Sequence, residues 1–240
     1  MSVITDARPR LAQRSAHRRH RLLRRLLPIV AGVAAVAGSV WLVLFSSVLG
    51  VHGVAVVGAQ RVAVADVLRV AAVPAGQPLA RLDTAAIAAR VRTLAPVDRV
   101  VVQRQWPRGV RLVITERVPF AVVTIAGQSW FVDRSGVPFD RGGAARSSLP
   151  HMSTPHPGVG DAATTAGLDV LAALPSAVLA EVQSIDVPGP EQVTLRLAGG
   201  KSVVWGSADQ TPEKAAVLPS LLKQPGTTYD VSTPSVVSVR

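Results

Sequence analysis

One stretch constrains this chain more than any other. From Leu26 to Val51 there is no charged residue, and Arg24 and Arg25 stand immediately before it. As a helix rising ~1.5 Å per residue, the stretch exceeds the ~30 Å of hydrocarbon in a bilayer. Trp41 and Phe45 fall in its second half, and such rings favour the membrane interface. Pro28 is expected in the first turn, where a missing N–H costs little. A buried core helix rarely runs past about 20 residues without a polar face. Residues 26–51 are therefore expected to be a transmembrane helix. The rival is a cleaved signal peptide, with Ala35-Val36-Ala37 as the candidate site. The apolar run continues through Val40 to Phe45, so cleavage would expose a greasy new end, and an uncleaved anchor is expected. The pairs Ala31/Ala35 and Ala34/Gly38 would let another helix approach, although so Ala-rich a span produces such pairs incidentally.

Charge gives the span a direction. The first 25 residues hold eight arginines and one acid, Asp6, a net +7 of the whole-chain +11. Arg18, Arg19, Arg21, Arg24 and Arg25 crowd against the span. Cations resist translocation, so residues 1–25 are expected to be a basic cytoplasmic tail, with everything after Val51 exported. Contact with anionic lipid is a further expected role of the tail. Nucleic-acid binding is not expected, because the arginines lack interleaved aromatics and a fold to present them. The chain has no cysteine, which excludes a disulfide framework and a thiol nucleophile. The exported part, about 190 residues, suffices for one or two modest cores.

Residues 52–120 read as a first exported domain. Val54-Ala55-Val56-Val57 followed by Gly58 predicts a strand and a turn. Val64, Val67, Leu68 and Ala71 recur as one stripe of a helix, which Pro74 to Pro78 breaks. Asp83 is placed to cap a second helix with an apolar face of Ile87, Val91 and Leu94, ending before Pro96. Val100 and Val102 alternate with Val101 and Gln103, and Trp106-Pro107-Arg108-Gly109 turns the chain. Val110, Leu112 and Ile114 then share one face of the return strand. The predicted order is β-α-α-β-β, a small α+β core.

These residues, in this order, resemble a POTRA domain of the FtsQ/DivIB type. The resemblance rests on Val56-Val57-Gly58, on Gly76-Gln77-Pro78-Leu79 with Leu82-Asp83, and on Pro96-Val97 with Val100, Val102, Arg104 and Trp106-Pro107. Glu116-Arg117-Val118-Pro119 closes the motif as the family's E-R-x-P does, while Ala59 stands where the family often has Asn.

Residues 121–240 read as a second, mixed domain on a mainly antiparallel sheet. Phe120 to Ile125, closed by Gly127, and Trp130-Phe131-Val132 predict strands, and Asp133-Arg134-Ser135-Gly136 turns the chain toward Val137-Pro138-Phe139. Residues 141–161, rich in Gly, Ser, Pro and His, are expected to be an exposed loop. Leu168, Leu171 and Leu174 mark a helix stopped or kinked by Pro175. Strands are expected near Ile185-Val187, at Val193 to Leu197 and at Val203-Val204-Trp205, the last two joined at Gly199-Gly200-Lys201. Thr211 is expected to cap a helix with Pro212 at its first position, kinked at Pro219. The chain should end in a strand pair, Tyr229-Asp230-Val231-Ser232 and Val236-Val237-Ser238-Val239. This half resembles the FtsQ β-domain through Val132-Asp133 with Gly136-Val137, Gly199-Gly200 with Val203 to Gly206, Lys214 with Leu218, Leu221 and Leu222, and Tyr229-Asp230-Val231.

Catalytic motifs do not emerge. Gly199-Gly200-Lys201-Ser202 is like the end of a phosphate-binding loop, but the pattern requires glycine where Leu195 stands. His151 and His156 have no neighbouring carboxylate or cysteine to complete a metal shell. Asp133, Asp140 and His151 lack a nucleophile setting. Glu116-Arg117 is read as a solvated pair worth under about 1 kcal/mol. No cofactor or metal is expected.

A terminal strand at a sheet edge offers unpaired N–H and C=O groups to a partner strand. The resemblance implies that use: the family's last strand region docks an FtsB-type partner, itself coiled to an FtsL-type partner. By position the candidates are Tyr229, Asp230, Val231, Ser232, Thr233, Pro234, Ser235, Val236, Val237, Ser238 and Val239. Completion of the domain core is the alternative role for these strands, and alternate faces can serve both. The resemblance further implies a non-enzymatic scaffold of bacterial division at the septum, with septal peptidoglycan synthase components as additional candidate partners. Two other classes stay open: a membrane-anchored cell-wall enzyme, and a POTRA-type export chaperone.

Overall fold

The computed structural model describes residues 8–141, 148–234 and 236–240, with the backbone alone for residues 8–26 and 47. Its first element, α1, runs from Arg8 to Phe45. Within it, Leu27–Phe45 is unburied and is long and apolar enough to cross a membrane. Two expectations change here. Pro28 lies inside the helix rather than in its first turn, because the Leu- and Arg-rich residues before it are good helix formers and extend α1 backwards. The helix also stops at Phe45, not Val51. The Ser46 hydroxyl accepts the Val48 N–H at 3.1 Å, offering the backbone an alternative to the helix, and a 3-10 turn follows over Ser47–Leu49. Gly50 and Val51 are buried. Of the arginines assigned to topology, Arg18, Arg19, Arg21, Arg24 and Arg25 fall within α1, and their side chains lie outside the described residues.

Backbone proximity divides the chain into two compact units, residues 1–57, 64–90 and 101–113 in the first, and residues 58–63, 91–100 and 114–240 in the second. The elements up to residue 116 follow the order β1 (Gly53–Val57), α2 (Val64–Ala71), α3 (Thr84–Val91), β2 (Val97–Gln105) and β3 (Gly109–Glu116). Their sheet has the order β1-β3-β2, with β1 parallel to β3 from Gly53 opposite Gly109 to Val57 opposite Val113. Val110, Leu112 and Ile114 of β3 are all buried, as alternation along a strand requires. On α2, Val67 and Ala71 are buried while Val64 and Leu68 remain exposed, so the helix turns in less of its stripe than the sequence suggests. The Ala86 N–H donates to Asp83 Oδ1 at 2.9 Å, capping α3. That helix ends at Val91, one turn earlier than the pattern reaching Leu94 implies.

The second unit holds a sheet of nine strands among the described residues, in the order β12-β11-β10-β9-β8-β7-β4-β5-β6. The strands are β4 (Ala121–Ile125), β5 (Gln128–Val132), β6 (Pro138–Arg141), β7 (His151–Ser153), β8 (Val182–Gly189), β9 (Gln192–Leu197), β10 (Ser202–Gly206), β11 (Thr228–Asp230) and β12 (Ser238–Val239). Pairing is mainly antiparallel, with parallel neighbours at β4/β7, β7/β8 and β10/β11. Helices α4 (Ala162–Ala173), α5 (Ser176–Leu179) and α6 (Thr211–Leu221) complete it. Leu168 and Leu171 of α4 and Leu218 and Leu221 of α6 share a core with Ile185, Leu195, Val203, Trp205 and Tyr229 from the sheet. Val123 joins that core, and its neighbour Val122 joins a smaller cluster with Phe131 and Phe139, consistent with successive residues facing opposite sides of a sheet.

Two corrections apply to this unit. Residues 141–161 are not one irregular loop. Residues 142–147 lie outside the described residues, but His151–Ser153 form β7, held in mid-sheet between β4 and β8 with Met152 buried. A strand of three residues with one apolar side chain leaves no periodic trace. Thr211 does not cap α6. Gln210 occupies the cap at φ +52° without a side-chain bond, and the Thr211 hydroxyl instead accepts the Trp205 Nε1–H at 3.2 Å and donates to the Ala208 carbonyl at 2.7 Å.

Candidate functional site

The E-R-x-P motif sits at the end of β3, where successive side chains leave the strand in opposite directions. Glu116 Oε1 accepts three backbone N–H groups, from Gln60 and Arg61 at 2.8 Å and Val62 at 3.0 Å. Its other oxygen takes the Arg61 Nε–H at 3.2 Å. Burial opposes the Glu116 charge, but these donors outweigh it and lower the pKa to about 2. Arg117 turns the other way. It pairs with Asp133, lies 3.6 Å from Asp98, and donates Nε–H to the Ala95 carbonyl at 3.1 Å. Asp133 Oδ1 accepts the Ser135 N–H and hydroxyl at 2.9 and 2.7 Å and the Val137 N–H at 3.0 Å. Burial would raise the Asp133 pKa, and these bonds with that of Arg117 hold it lower. Glu116-Arg117 is therefore not a solvated pair: the two groups serve separate networks.

Most other motif residues are structural by placement. Gly58 has φ +87°, and a Cβ there would collide with the Ile114 carbonyl oxygen. The Gly76 N–H donates to Val51 O at 2.9 Å, Pro78 bridges Gly50, and Leu79 is fully buried. Arg104 Nη2 donates to the Leu82 carbonyl at 2.7 Å. Trp106, joined to Pro107 through a cis bond, is different, with just over half its surface exposed (53%). Pro119 precedes Phe120, whose N–H returns to Val132 O at 2.8 Å.

The terminal strands form one edge of the large sheet. β11 lies parallel to β10, and β12 lies antiparallel to β11 with Val239 opposite Tyr229 and Ser238 opposite Asp230. Thr228 and Arg240 exchange N–H···O bonds of 2.9 and 2.8 Å. Because hydrogen-bonded and non-hydrogen-bonded pairs alternate, Val239 directs its N–H and C=O away from β11, out of the sheet. The candidate residues divide accordingly. Tyr229 and Val231 are fully buried, and the Tyr229 hydroxyl donates within reach of the Gln224 and Gly226 carbonyls, at 2.8 and 2.9 Å. Asp230 accepts the Ser232 N–H at 2.9 Å; bonds from Ser232 hold its pKa low against burial, with help from the Arg240 charge. Ser232, Thr233, Val236 and Ser238 are exposed, and Pro234, Val237 and Val239 half-buried. Ser235 lies outside the described residues.

Among the described residues, no three or more His, Cys, Asp or Glu side chains gather as metal ligands.

Two family models match the chain, "POTRA domain, FtsQ-type" over residues 49–117 and "Cell division protein FtsQ/DivIB, C-terminal" over residues 121–239. Cell division protein FtsQ of Streptomyces collinus is 36% identical over 230 residues, covering 90% of this chain and 87% of the relative. The chain belongs to the FtsQ/DivIB family. Cell division protein FtsQ of Mycolicibacterium smegmatis is 42% identical over 199 residues, and that of Mycobacterium tuberculosis 38% over 196. These matches cover 83% and 82% of this chain, and 60% and 62% of the mycobacterial proteins, so the chain spans about three-fifths of their length. A solved structure, the major extracytoplasmic domain of the trans isomer of DivIB from Geobacillus stearothermophilus, matches with 21% identity and a TM-score of 0.34, covering 45% of this chain and 92% of that one.

One group in this FtsQ/DivIB chain escapes a reading of the sequence. Lys214, on α6, is almost fully buried, and its ammonium donates to the carbonyls of Trp205 at 3.1 Å and Ser207 at 2.9 Å. Burial lowers its pKa, against the attraction of Asp209 and Glu191. Lys214 ties the end of β10 to α6, while Lys201 Nζ reaches the Leu222 carbonyl at 3.2 Å and lies over the Tyr229 ring. A lysine next to a leucine stripe looks like a surface residue; only the fold turns it inward.

Proposed function

We propose that this chain is a non-catalytic, single-span scaffold of the bacterial division machinery. Its basic tail is cytoplasmic, and the residues after the span are extracytoplasmic and concentrate at the septum. It links early and late division proteins by docking FtsB-type and FtsL-type partners, with septal peptidoglycan synthase components within reach of the same assembly. Residues 52–120 act as the POTRA domain and residues 121–240 as the β-domain that carries the dock. The observation that supports this reading is the edge position of β12 with the Val239 backbone directed outward. An added strand gains affinity from such main-chain groups and selectivity from alternate side chains such as Val236 and Ser238.

Val239→Pro in the full chain tests the dock. Proline removes an N–H that this sheet does not use, so the fold should persist while capture of the FtsB-type and FtsL-type pair is lost. Undiminished capture by a folded Val239→Pro chain would refute the edge dock. Depletion of the protein should give cells that grow without septating, and continued division would refute the scaffold itself.

A further inference from the structure

The first unit is fastened to the end of α1 by several independent contacts. The Arg81 guanidinium lies over the Phe45 ring, 5.2 Å from its centroid. Arg108 Nε donates to the Val48 carbonyl at 2.8 Å, and the Arg108 carbonyl accepts the His52 N–H at 2.9 Å. Val51 N–H donates to the Gln77 carbonyl at 3.0 Å. These contacts fix the depth of the residues involved. The 19 apolar residues Leu27–Phe45 rise about 28 Å, close to the ~30 Å of bilayer hydrocarbon, which leaves Phe45 at the hydrocarbon edge. The following 3-10 turn adds about 2 Å per residue, so Val48 lies within the roughly 5–7 Å headgroup layer of that leaflet. Arg81 and Arg108, held against Phe45 and Val48, share that depth.

We propose that Arg81, Trp106 and Arg108 form a phospholipid-headgroup contact, so that the first unit rests on the leaflet from which the span emerges. The proposal depends on the membrane-span reading given above. Guanidinium groups match phosphate oxygens with paired donors. Arg108 spends Nε on Val48, and among the described residues its Nη groups and the whole Arg81 guanidinium have no hydrogen-bond acceptor. The acids of this unit among the described residues are occupied: Asp66 pairs with Arg69 at 2.8 Å, and Asp83 caps α3. Trp106 precedes Arg108 by two residues, within about 7 Å along the chain, and its exposed indole is the side chain best suited to an interface. An exposed tryptophan two residues from one cation held at headgroup depth, with a second cation at the same level, fits a lipid surface.

The experiment uses the full chain labelled with fluorotryptophan at its four natural positions, in nanodiscs of phosphatidylglycerol and phosphatidylethanolamine. Fluorine NMR lines are broadened either by a lipid bearing a nitroxide high on its acyl chain or by a gadolinium chelate confined to water. Trp41 reports the span, and Trp106 the proposed contact. The expected result is that the nitroxide lipid broadens both Trp41 and Trp106 several-fold more than the chelate does. Trp106 broadened mainly by the chelate, with Trp41 still sensing lipid, would overturn the contact and leave the span standing. Trp41 insensitive to lipid would overturn the span and the contact together. In the Arg81→Gln/Arg108→Gln chain the Trp106 line should shift toward broadening by the chelate with Trp41 unchanged. If that chain fails to fold, the unsubstituted protein still decides the matter.

Discussion

Arg117 pairs with Asp133, sixteen residues further on, rather than with Glu116 beside it. The side chains are only 17% and 11% exposed, so the pair contributes strongly to the solvation of both charges, beside the Ser135 and Val137 donors to Asp133 and the Ala95 carbonyl on Arg117. Removing one partner strands the other. Arg117→Ala and Asp133→Asn should each destabilise the protein by about 3 kcal/mol, and the double variant by clearly less than the sum. Urea denaturation of the three variants measures both quantities.

Glu116 makes stability depend on pH in a defined direction. Its folded pKa of about 2 is depressed from 4.5, so the folded state binds the proton less readily than the unfolded chain. The stabilisation is fully present above pH 4.5 and is lost as pH falls toward 2. The Glu116 side chain is covered but Arg61 is a third exposed and the site lies near the surface, so solvent screens part of the effect, which amounts to about 1–2 kcal/mol. Glu116→Gln should flatten this part of the stability–pH profile, measured as unfolding midpoints between neutral and acid pH.

Gly58→Ala should be costly although the methyl is small. It combines a left-handed φ of +87° with a collision against the Ile114 carbonyl. A loss of at least about 2 kcal/mol is expected, read as a lower thermal midpoint.

Tyr229→Phe separates the core role of the terminal strands from the docking role proposed for them. The hydroxyl serves the Gln224 and Gly226 carbonyls inside the unit, so its loss should cost about 1 kcal/mol. Capture of the FtsB-type and FtsL-type pair should be unchanged, in contrast to Val239→Pro.

Local pattern made much of this legible beforehand. β3 is readable because Val110, Leu112 and Ile114 fall on one face opposite Arg111 and Thr115, and α3 because Asp83 stands before an apolar stripe. The sequence leaves open whether the final strands lie at an edge or complete the core; β12 lies at the edge, and Tyr229 and Val231 are core. What stayed hidden depends on distant residues. No local rule brings Gln60 to Glu116, Asp133 to Arg117, or two strand-end carbonyls to Lys214. β7 is hidden for a different reason: it is shorter than the roughly four to eight residues over which alternation reveals a strand.

The fastening of α1 to the first unit also has a mechanical consequence. Pull on the span does not reach the first unit through a single covalent thread at Gly50. It is shared with the Arg108–Val48 bond and the Arg81–Phe45 stack, which run beside that thread, and the Val51–Gln77 and Gly76–Val51 bonds anchor the thread just beyond Gly50. Bonds loaded side by side yield together rather than one after another. Tension or rotation applied at the membrane is therefore delivered to the Trp106 hairpin and the Gly76–Arg81 loop as a rigid displacement, with little slack to absorb it.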